Sequence, residues 1–360
     1  MFDKYLITGA TGFLGRAVAA ELVRHNAQVR ALVLHNDPYI SLLPKEVRTV
    51  AGDVCDKSSL ADFFADADSH TCVIHCAGII SVASRPGPKL YQVNVGGTWR
   101  ILRQCMEHDV GRFIYVSSVH AIPEKPEGCV ITESADFSPG LVDGDYAKSK
   151  TVATRLVFDY IRRGLPAVVV YPSGIVGPKD YKTSSMGTLL LDIANGKLNV
   201  SLKGAGYNFV DVRDCANGVY LAALRGRVGE GYLLSGNRVS ISQIMRYVRF
   251  RMGRSARVFE FSVRLAAKFA PMLEKTALKR GKKPLFTAYS LYTITCNANF
   301  SAKKAQEELG YSVRGSMRTI FDTLEWYAAA RPELLTARAR ARLLGKRPGK
   351  KPGTALPRPV

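Results

Sequence analysis

The segment TGATGFLG at residues 8–15 constrains the fold more than any other part of the chain. It follows a short apolar run, KYLIT at residues 4–8, and opens a stretch with helical periodicity. Gly9, Gly12 and Gly15 lie three residues apart, and the lack of Cβ atoms allows a tight turn and close approach of backbone N–H groups to a ligand. In a strand–turn–helix context this pattern predicts a site for the pyrophosphate of a dinucleotide.

Short β-rich runs alternate with helical patterns through the first two thirds of the chain. The runs predicted as strands cover residues 4–8, 28–34, 47–52, 71–76, 112–118, 166–172 and 231–236. Such alternation is typical of a parallel sheet covered by helices on both faces. The prediction is an α/β fold, a doubly wound parallel sheet of the Rossmann type with a smaller C-terminal α+β substrate domain.

The predicted domain boundaries follow this sheet. Residues 1–180 and 207–236 supply its strands and helices and form the predicted dinucleotide-binding domain. Residues 181–206 and 237–330 are assigned to a substrate-binding domain over the carboxyl ends of the strands, where open α/β sheets bind ligands. Residues 331–360 are rich in basic residues, proline and glycine, and are predicted to be a disordered tail.

The sequence leaves the choice between NAD and NADP open. An acid at the end of the second strand would bind the 2′-hydroxyl of the adenosine ribose. That strand ends in VLH at 33–35, and Asp37 comes too late in the chain to be a confident partner. No arginine stands at the strand end for a 2′-phosphate either. Arg16 and Arg30 could serve, but solvation at the surface is the role expected of each.

A tyrosine and a lysine in DGDYAKSK lie one helical turn apart. Tyr146 and Lys150 share a helical face, and a nearby ammonium is expected to lower the phenol's pKa from its usual value of about 10. The pair could then exchange a proton with a substrate oxygen while a hydride moves. YxxxK is common on surface helices, so the inference depends on YVSS, which places Ser117 and Ser118 at the same sheet edge.

Taken in order, these motifs resemble those of the extended short-chain dehydrogenases/reductases, within the NAD-dependent epimerase/dehydratase group. The resemblance covers residues 4–328. Its further motifs are GDV at 52–54, HCAG at 75–78, NVGGT at 94–98 and YPSGIVGP at 171–178. The resemblance implies an enzyme that binds NAD or NADP.

The resemblance also implies the roles of individual residues. Tyr146 is expected to be the catalytic acid/base, Lys150 to lower its pKa and hold the nicotinamide ribose, and Ser118 to orient the substrate. His120 and Ser173 are expected substrate contacts, although a plain loop histidine is equally typical at position 120. Besides Tyr146 and Lys150, the expected cofactor contacts are Gly9, Thr11, Gly12, Phe13, Leu14, Gly15, Asp53, Val54, Ala77, Gly78, Asn94 and Pro172.

Two departures from the sugar-nucleotide pattern indicate the branch of the family. Val176 replaces a tyrosine that is usual there, and Asn208 replaces an acid in GYNFVDVRD. PSGIVGP and NFVDVRD are more similar to dihydroflavonol reductases and 3β-hydroxysteroid dehydrogenases. The expected reaction interconverts a secondary alcohol and a ketone on a hydrophobic cyclic substrate that is steroid-, terpenoid- or flavonoid-like. The alternatives are a nucleotide-sugar epimerase or dehydratase with bound NAD, hopanoid-associated epimerase-like proteins included, and a non-catalytic cofactor-binding regulator.

The net charge of +21 raises the question of polyanionic partners. Zinc-finger spacings and RNA-binding aromatic signatures are absent from the sequence, so nucleic acid is not expected. In residues 260–286, four apolar residues recur every four positions among lysines and arginines. This pattern predicts an amphipathic helix packed on the small domain. An apolar wall for the substrate and a basic helix on an anionic membrane are the alternatives.

The remaining features concern location and assembly. Seven scattered cysteines and an N-terminus without a leader pattern predict a cytoplasmic protein with reduced thiols. Cys72, His75 and Cys76 in CVIHC alternate between the faces of a strand, so a metal site is not expected. The apolar runs are too short for a spanning helix. A small-molecule substrate is the expected partner, and a homodimer stays an open alternative.

Overall fold

The computed structural model describes residues 2–81, 87–262 and 288–345. Its strands are β1 Lys4–Thr8, β2 Gln28–Val33, β3 Arg48–Ala51, β4 Thr71–His75, β5 Arg112–Val116, β6 Ala167–Pro172, β7 Gly174–Val176, β8 Val200–Leu202, β9 Gly206–Asp211, β10 Gly231–Leu234, β11 Asn237–Ser240 and β12 Phe259–Phe261. Its helices are α1 Phe13–Arg24, α2 Ala61–Phe64, α3 Lys89–Tyr91, α4 Thr98–Glu107, α5 Asp145–Arg162, α6 Ser185–Ala194, α7 Val212–Arg225, α8 Ile241–Arg251, α9 Ala288–Thr295, α10 Lys303–Leu309, α11 Ser316–Ala330 and α12 Ala337–Leu343.

The main sheet has seven parallel strands in the order β10-β6-β5-β4-β1-β2-β3. The strand order reverses beside β1, which makes the sheet doubly wound and places a ligand crevice at the carboxyl ends of β1 and β4. All seven predicted strands are confirmed, most of them one or two residues shorter than expected. The α/β prediction is therefore confirmed.

The core has two layers because side chains alternate across each buried strand. Leu6 and Val73 lie on one face, which α4 and α5 cover, while Ile7 and Ile74 lie on the other, which α1 and α7 cover. Both faces are apolar, as a sheet with helices on each side requires. This packing fixes the carboxyl edge at which the predicted site residues lie.

Two smaller sheets were not predicted from the sequence. One has the order β11-β9-β7, with β7 parallel and β11 antiparallel to β9, and the other pairs β8 with β12 in parallel. β7 and β11 begin just after β6 and β10 end, so the first small sheet continues from the carboxyl edge of the main sheet. Helix α8 follows β11, and Ser240 and Gln243 form a reciprocal capping box at its start.

The prediction that residues 331–360 are disordered is wrong for the part that the structure describes. Residues 332–334 form a 3₁₀ turn, and α12 buries Ala339 and Leu343 completely or nearly so. A short alanine–arginine helix can present alanine and leucine on one face and arginine on the other, which a compositional argument does not detect. The helix predicted within residues 260–286 falls mostly outside the described residues. No helix in the described ranges is long and apolar enough to cross a membrane.

Candidate active site

The glycine loop leaves no room for a side chain at two of its three glycines. Gly9 has a φ of +70°, and a Cβ atom there would lie 2.6 Å from the backbone nitrogen of Ala77. A Cβ atom on Gly15 would lie 2.1 Å from the carbonyl oxygen of Gly9. Gly12 caps α1, and no side chain of the described residues bonds to the amides of its first turn, where Phe13 and Leu14 lie. These amides are thus left for an anionic ligand, which fits a pyrophosphate.

Asp37 lies beside the glycine loop, although sequence spacing argued against it. Thr11 donates a hydrogen bond from Oγ1 to one carboxylate oxygen of Asp37 over 2.7 Å, and the backbone nitrogen of Tyr39 donates to the other over 2.9 Å. The turn after β2 therefore folds back toward the loop. It brings an acid to the edge of the sheet at which this class of fold binds the adenosine ribose.

The expectation that Arg16 and Arg30 are solvated at the surface is wrong. Arg16 is 5% exposed, stacks 4.6 Å from the ring centre of Tyr181 and donates to the carbonyl of Lys179. Arg30 is 7% exposed and is held by the carboxylate of Asp66. Each guanidinium is engaged within the protein, so neither is a ready partner for a 2′-phosphate.

The predicted residues Asp53 and Val54 lie in the loop after β3. The Asp53 carboxylate accepts a hydrogen bond from the backbone nitrogen of Cys55 over 2.8 Å. The buried Val54 side chain packs against Gly97, where a Cβ atom would lie 2.7 Å from Cγ2 of Val54. These contacts fix the loop and leave Asp53 half-buried at the edge of the crevice.

Asn94 fastens the segment after β4 to helix α5. It lies in a π-helical turn, Gln92–Gly97, a feature frequent at functional sites. Its Oδ1 accepts from the backbone nitrogen of Ile79 over 2.7 Å, and its Nδ2 donates to Oγ of Ser149 over 3.0 Å. A Cβ atom on Gly78 would lie 3.4 Å from Oδ1 of Asn94 and 3.6 Å from Nζ of Lys150. The predicted cofactor residues after β4 therefore lie against the predicted catalytic lysine.

The structure brings the three predicted catalytic residues together. Tyr146 and Lys150 lie in the first two turns of α5 and are 8% and 6% exposed. Ser118 follows β5, and its side chain hydrogen bonds to that of Tyr146. Lys150 donates from Nζ to the carbonyl oxygen of Val116 over 2.8 Å, with Nζ 5.0 Å from the ring centre of Tyr115. Two hydroxyls and an ammonium thus meet at the carboxyl edge of β5.

Burial sets the protonation of this group. Desolvation raises the pKa of the Tyr146 phenol, and the hydrogen bond with Ser118 opposes that rise. Desolvation lowers the pKa of the Lys150 ammonium to about 8, against an opposing effect of Cys76. The pKa of Tyr146 is therefore raised on balance, contrary to the expectation, because burial outweighs the effect of Lys150, whose ammonium bonds to a carbonyl oxygen here. The phenol is protonated at neutral pH and is suited to donate a proton.

Aromatic side chains, two of them from the small sheet, face the predicted catalytic tyrosine. His120 contacts the ring of Tyr146 edge-on at 5.9 Å and stacks on the ring of Tyr207 at 5.8 Å. Tyr207 in turn meets Phe209 and Phe300 edge-on, at 5.8 and 6.2 Å. Burial lowers the pKa of His120 to about 4, so its imidazole is neutral at neutral pH. This aromatic wall, defined by His120, Tyr207, Phe209 and Phe300, suits an apolar ring better than a charged one.

The end of β6 contributes Pro172 and Ser173. Pro172 is the last residue of the strand, and Ser173 is 6% exposed. The Ser173 hydroxyl is buried and has no hydrogen-bond partner in the described part of the chain. A buried hydroxyl without a partner costs free energy unless a ligand or water bonds to it. Ser173 is therefore available to a bound molecule, as the sequence prediction requires.

Sequence reasoning missed Asp37 and Tyr207. The signal for Tyr207 was present, because Tyr207 and Phe209 lie two residues apart in GYNFVDVRD and so share one face of a strand. The signal for Asp37 was absent, since it depends on how the turn after β2 folds. Within the described residues, no cluster of His, Cys, Asp and Glu side chains could hold a metal ion.

Fold and crevice together define a dinucleotide-binding protein of the doubly wound class. The model of the "NAD dependent epimerase/dehydratase family" matches residues 5–234 of the chain. The chain belongs to this family, which confirms the resemblance to the extended short-chain dehydrogenases/reductases. It is accordingly an enzyme that uses NAD or NADP, and the uncapped helix and glycine cradle fit either dinucleotide.

Three similar proteins show the range of the family. "Sterol demethylase protein B" of Methylococcus capsulatus is 28% identical over 325 residues, covering 89% of this chain and 97% of that protein. "UDP-glucose 4-epimerase" of Streptomyces lividans is 27% identical over 355 residues, covering 91% and 97%. The crystal structure of gox2253 superimposes with a TM-score of 0.79 at 31% identity, covering 93% of this chain and all of that one.

Proposed function

We propose that the enzyme interconverts a secondary alcohol and a ketone on a hydrophobic cyclic substrate, of the steroid, terpenoid or flavonoid kind. The observation that carries the proposal is the paired hydroxyls of Ser118 and Tyr146 beside Lys150, facing the aromatic wall. A buried acid group opposite apolar rings suits a carbonyl on a ring system. The similarity to a sterol-related protein over nearly its full length supports the same substrate class.

The catalytic roles follow from this geometry. The bound nicotinamide supplies the hydride in the reductive direction and accepts it in the oxidative one. Tyr146 donates its proton to the carbonyl oxygen during reduction, while Ser118 donates a hydrogen bond to the same oxygen. Lys150 stabilises the phenolate that remains and contacts the ribose of the dinucleotide. Because burial holds the phenol protonated, Tyr146 is in the state that proton donation during reduction requires at neutral pH.

We also propose that NAD is preferred over NADP. Asp37 lies against the glycine loop through Thr11, and a carboxylate there would bond to a ribose hydroxyl and repel a 2′-phosphate. Arg16 and Arg30, the arginines considered for a 2′-phosphate, are engaged elsewhere in the protein. The ratio of kcat/KM values for the two dinucleotides tests this, and a higher value with NADP would contradict it.

The proposal also assigns the two ligands to different parts of the chain. Residues 1–180 and 207–236 would hold the dinucleotide, and residues 181–206 and 237–330 would hold the substrate. Tyr207 of the first part, which stacks on His120, contacts Phe300 of the second part, and this favours a substrate bound between them. Since α12 packs on the smaller part, residues 331–345 are assigned to it as well.

A nucleotide-sugar epimerase or dehydratase with bound NAD is the second candidate. The similarity to UDP-glucose 4-epimerase of Streptomyces lividans over 97% of that protein favours it. Val176 and Asn208, which replace residues usual in those enzymes, argue against it. Instead, Oδ1 of Asn208 accepts a hydrogen bond from the backbone nitrogen of Gly236 over 2.8 Å, which fixes the small sheet.

One screen separates the two candidates. Purified enzyme is incubated with steroid alcohols, flavonoid-like alcohols and nucleotide sugars, each with NAD and with NADP, and the absorbance of the reduced dinucleotide is followed. We expect the dinucleotide to be reduced when a cyclic hydrophobic alcohol is the substrate. Conversion of a nucleotide sugar without net reduction would support the epimerase, and the Tyr146→Phe variant serves as the inactive control in both assays.

A further inference from the structure

The β8–β12 ribbon presents an apolar face to solvent. Val200 pairs with Phe259 and Leu202 with Phe261 in register. Because side chains two residues apart share a face, the two phenylalanines project together. They are 73% and 51% exposed, and Val200 beside them is 42% exposed. Grouped apolar side chains of this size at a protein surface indicate an interaction site.

Arginines lie at the base of this ribbon. Arg249 of α8 donates hydrogen bonds to the carbonyls of Arg257 and Asn199, which lie just before β12 and β8. Arg254 lies near the end of α6, where a Cβ atom on Gly196 would be 3.8 Å from its Nη1. Both guanidiniums therefore lie near the start of the two strands of the ribbon.

Helix α12 adds two more arginines to the same place. Arg338 and Arg342 lie four residues apart and so share a face of the helix. Arg251 of α8 donates to the carbonyl oxygen of Leu343 over 2.6 Å, which places the end of α12 against the end of α8. Burial, and then repulsion by Arg342, Arg338 and Arg249, lowers the pKa of Arg254, as expected for guanidiniums that lie near one another. In the described part of the chain, no ion pair joins any of the four to an acid, whereas the neighbouring Arg251 is paired with Glu325 over 2.8 Å.

We propose that this docking surface, formed by Val200, Phe259, Phe261, Arg249, Arg254 and Arg338, binds the enzyme to an anionic lipid bilayer. Aromatic rings insert at the level of the headgroups, and arginines contact the lipid phosphates. A nucleic acid would match the arginines but not the apolar face of the ribbon. A second copy of the chain in a two-fold interface would bring the same unpaired arginines together, and their repulsion opposes it.

Flotation with vesicles tests the proposal on the full chain. We expect binding to vesicles of phosphatidylcholine with phosphatidylserine and little binding to phosphatidylcholine alone. Binding should weaken with salt, because the Debye length falls from about 10 Å at 0.1 M to about 3 Å at 1 M. Phe259→Ser combined with Phe261→Ser should abolish flotation. Arg338→Gln combined with Arg342→Gln should lower the partition coefficient by roughly 25-fold, at about fivefold for each basic residue.

Matched control variants distinguish binding through this docking surface from binding caused by net charge or exposed apolar side chains elsewhere. Lys45→Gln combined with Arg48→Gln removes two exposed basic residues elsewhere, and Val228→Ser removes a valine that is 51% exposed. Both controls should float like the wild type. The proposal is overturned if they lose as much binding as the ribbon variants, if no variant changes flotation, or if duplex DNA binds the surface more tightly than the vesicles do. The readout is binding, so its failure leaves the oxidoreductase proposal untouched.

Discussion

The phenol oxygen of Tyr207 lies 3.1 Å from Nε2 of His120, within hydrogen-bond distance, and the same imidazole contacts the ring of Tyr146. Through this pair, β9 of the small sheet reaches the residue proposed to transfer the proton. The neutral imidazole of His120 bonds to the Tyr207 phenol and packs edge-on against the Tyr146 ring, so it joins the two tyrosines without adding charge. A polar contact with Tyr207 and a ring contact with Tyr146 therefore set the position of His120 within the aromatic wall.

Tyr207→Phe should raise the KM for the substrate and leave kcat nearly unchanged. The substitution keeps the ring and removes one hydrogen bond, whose net worth of about 0.5–1.5 kcal/mol corresponds to roughly 2–12-fold. Steady-state kinetics measures both constants. Tyr232→Phe is the matched control, because it removes a phenol that bonds to Glu308 on another side of the main sheet. A fall in kcat with KM unchanged would show that Tyr207 acts in the chemical step and not in positioning the substrate.

Tyr146→Phe should lower turnover by about 10²–10⁴-fold, the contribution typical of a positioned acid/base. The ring stays in its packing, so the dinucleotide affinity should remain close to that of the wild type. Fluorescence titration of the dinucleotide and steady-state turnover are measured on the same preparation. Tyr160→Phe on the same helix is the control and should be silent. Turnover like that of the wild type would exclude Tyr146 from proton transfer.

The rate of ketone reduction should fall as pH rises through about 8. The Lys150 ammonium has its pKa lowered to about 8, so its charge is present below that pH and is lost above it. Without the charge, the phenolate left by proton donation loses its partner. The rate should therefore be flat below pH 7 and should fall roughly tenfold per pH unit well above 8.

A serine variant identifies the group responsible for that pH dependence. The hydrogen bond with Ser118 lowers the pKa of Tyr146, so Ser118→Ala should raise the Tyr146 pKa further. If Lys150 is the titrating group, the reduction rate of the Ser118→Ala variant should still fall above a pH of about 8. A fall in rate that begins at a higher pH in Ser118→Ala would show that Tyr146 titrates instead.

Gly12→Val should impair dinucleotide binding, whereas Gly15→Ala should impair the stability of the fold. A Cβ atom on Gly12 would meet only the carbonyl oxygen of Gly9, at 3.1 Å, so the fold should survive while the side chain obstructs the pyrophosphate. A Cβ atom on Gly15 would lie 2.1 Å from the same oxygen, so the protein itself should be destabilised. Circular dichroism and dinucleotide titration separate the two effects. Equal dinucleotide affinity in Gly12→Val and wild type would mean that the loop is only a turn.

The main sheet could be predicted from the sequence because its strands, apart from the exposed edge strand β3, are buried and apolar between turn residues. Most strands of the small sheets could not be predicted, since β7, β8 and β12 have three residues each and are too short to show an alternation of apolar and polar residues. Helix α12 was missed for another reason. Its composition resembles a disordered basic tail, and only tertiary packing of Ala339 and Leu343 shows otherwise.

The candidate site was predictable where chemistry depends on local spacing. Tyr146 and Lys150 are four residues apart on one helix, and the glycine trio lies on one turn. The approach of Tyr207 to His120, and of Asp37 to the glycine loop, depends on how separate segments meet, which spacing does not encode. The state of Lys150 was also beyond the sequence, because its pKa is set by burial under the β4 and β5 strand ends.

Chains ending at residue 345 and at residue 330 should differ in stability. The segment between them buries Leu335 and Leu343, and full burial of such side chains contributes about 1.5–3 kcal/mol each. Asn195 ties the segment down through hydrogen bonds to the carbonyl of Leu334 over 2.9 Å and from the nitrogen of Thr336 over 2.8 Å. The 1–345 chain should keep the urea midpoint and turnover of the full chain. The 1–330 chain should lose several kcal/mol of unfolding free energy, at that value per leucine. Urea denaturation followed by circular dichroism measures this, and equal midpoints for the two truncated chains would show that α12 does not stabilise the folded enzyme.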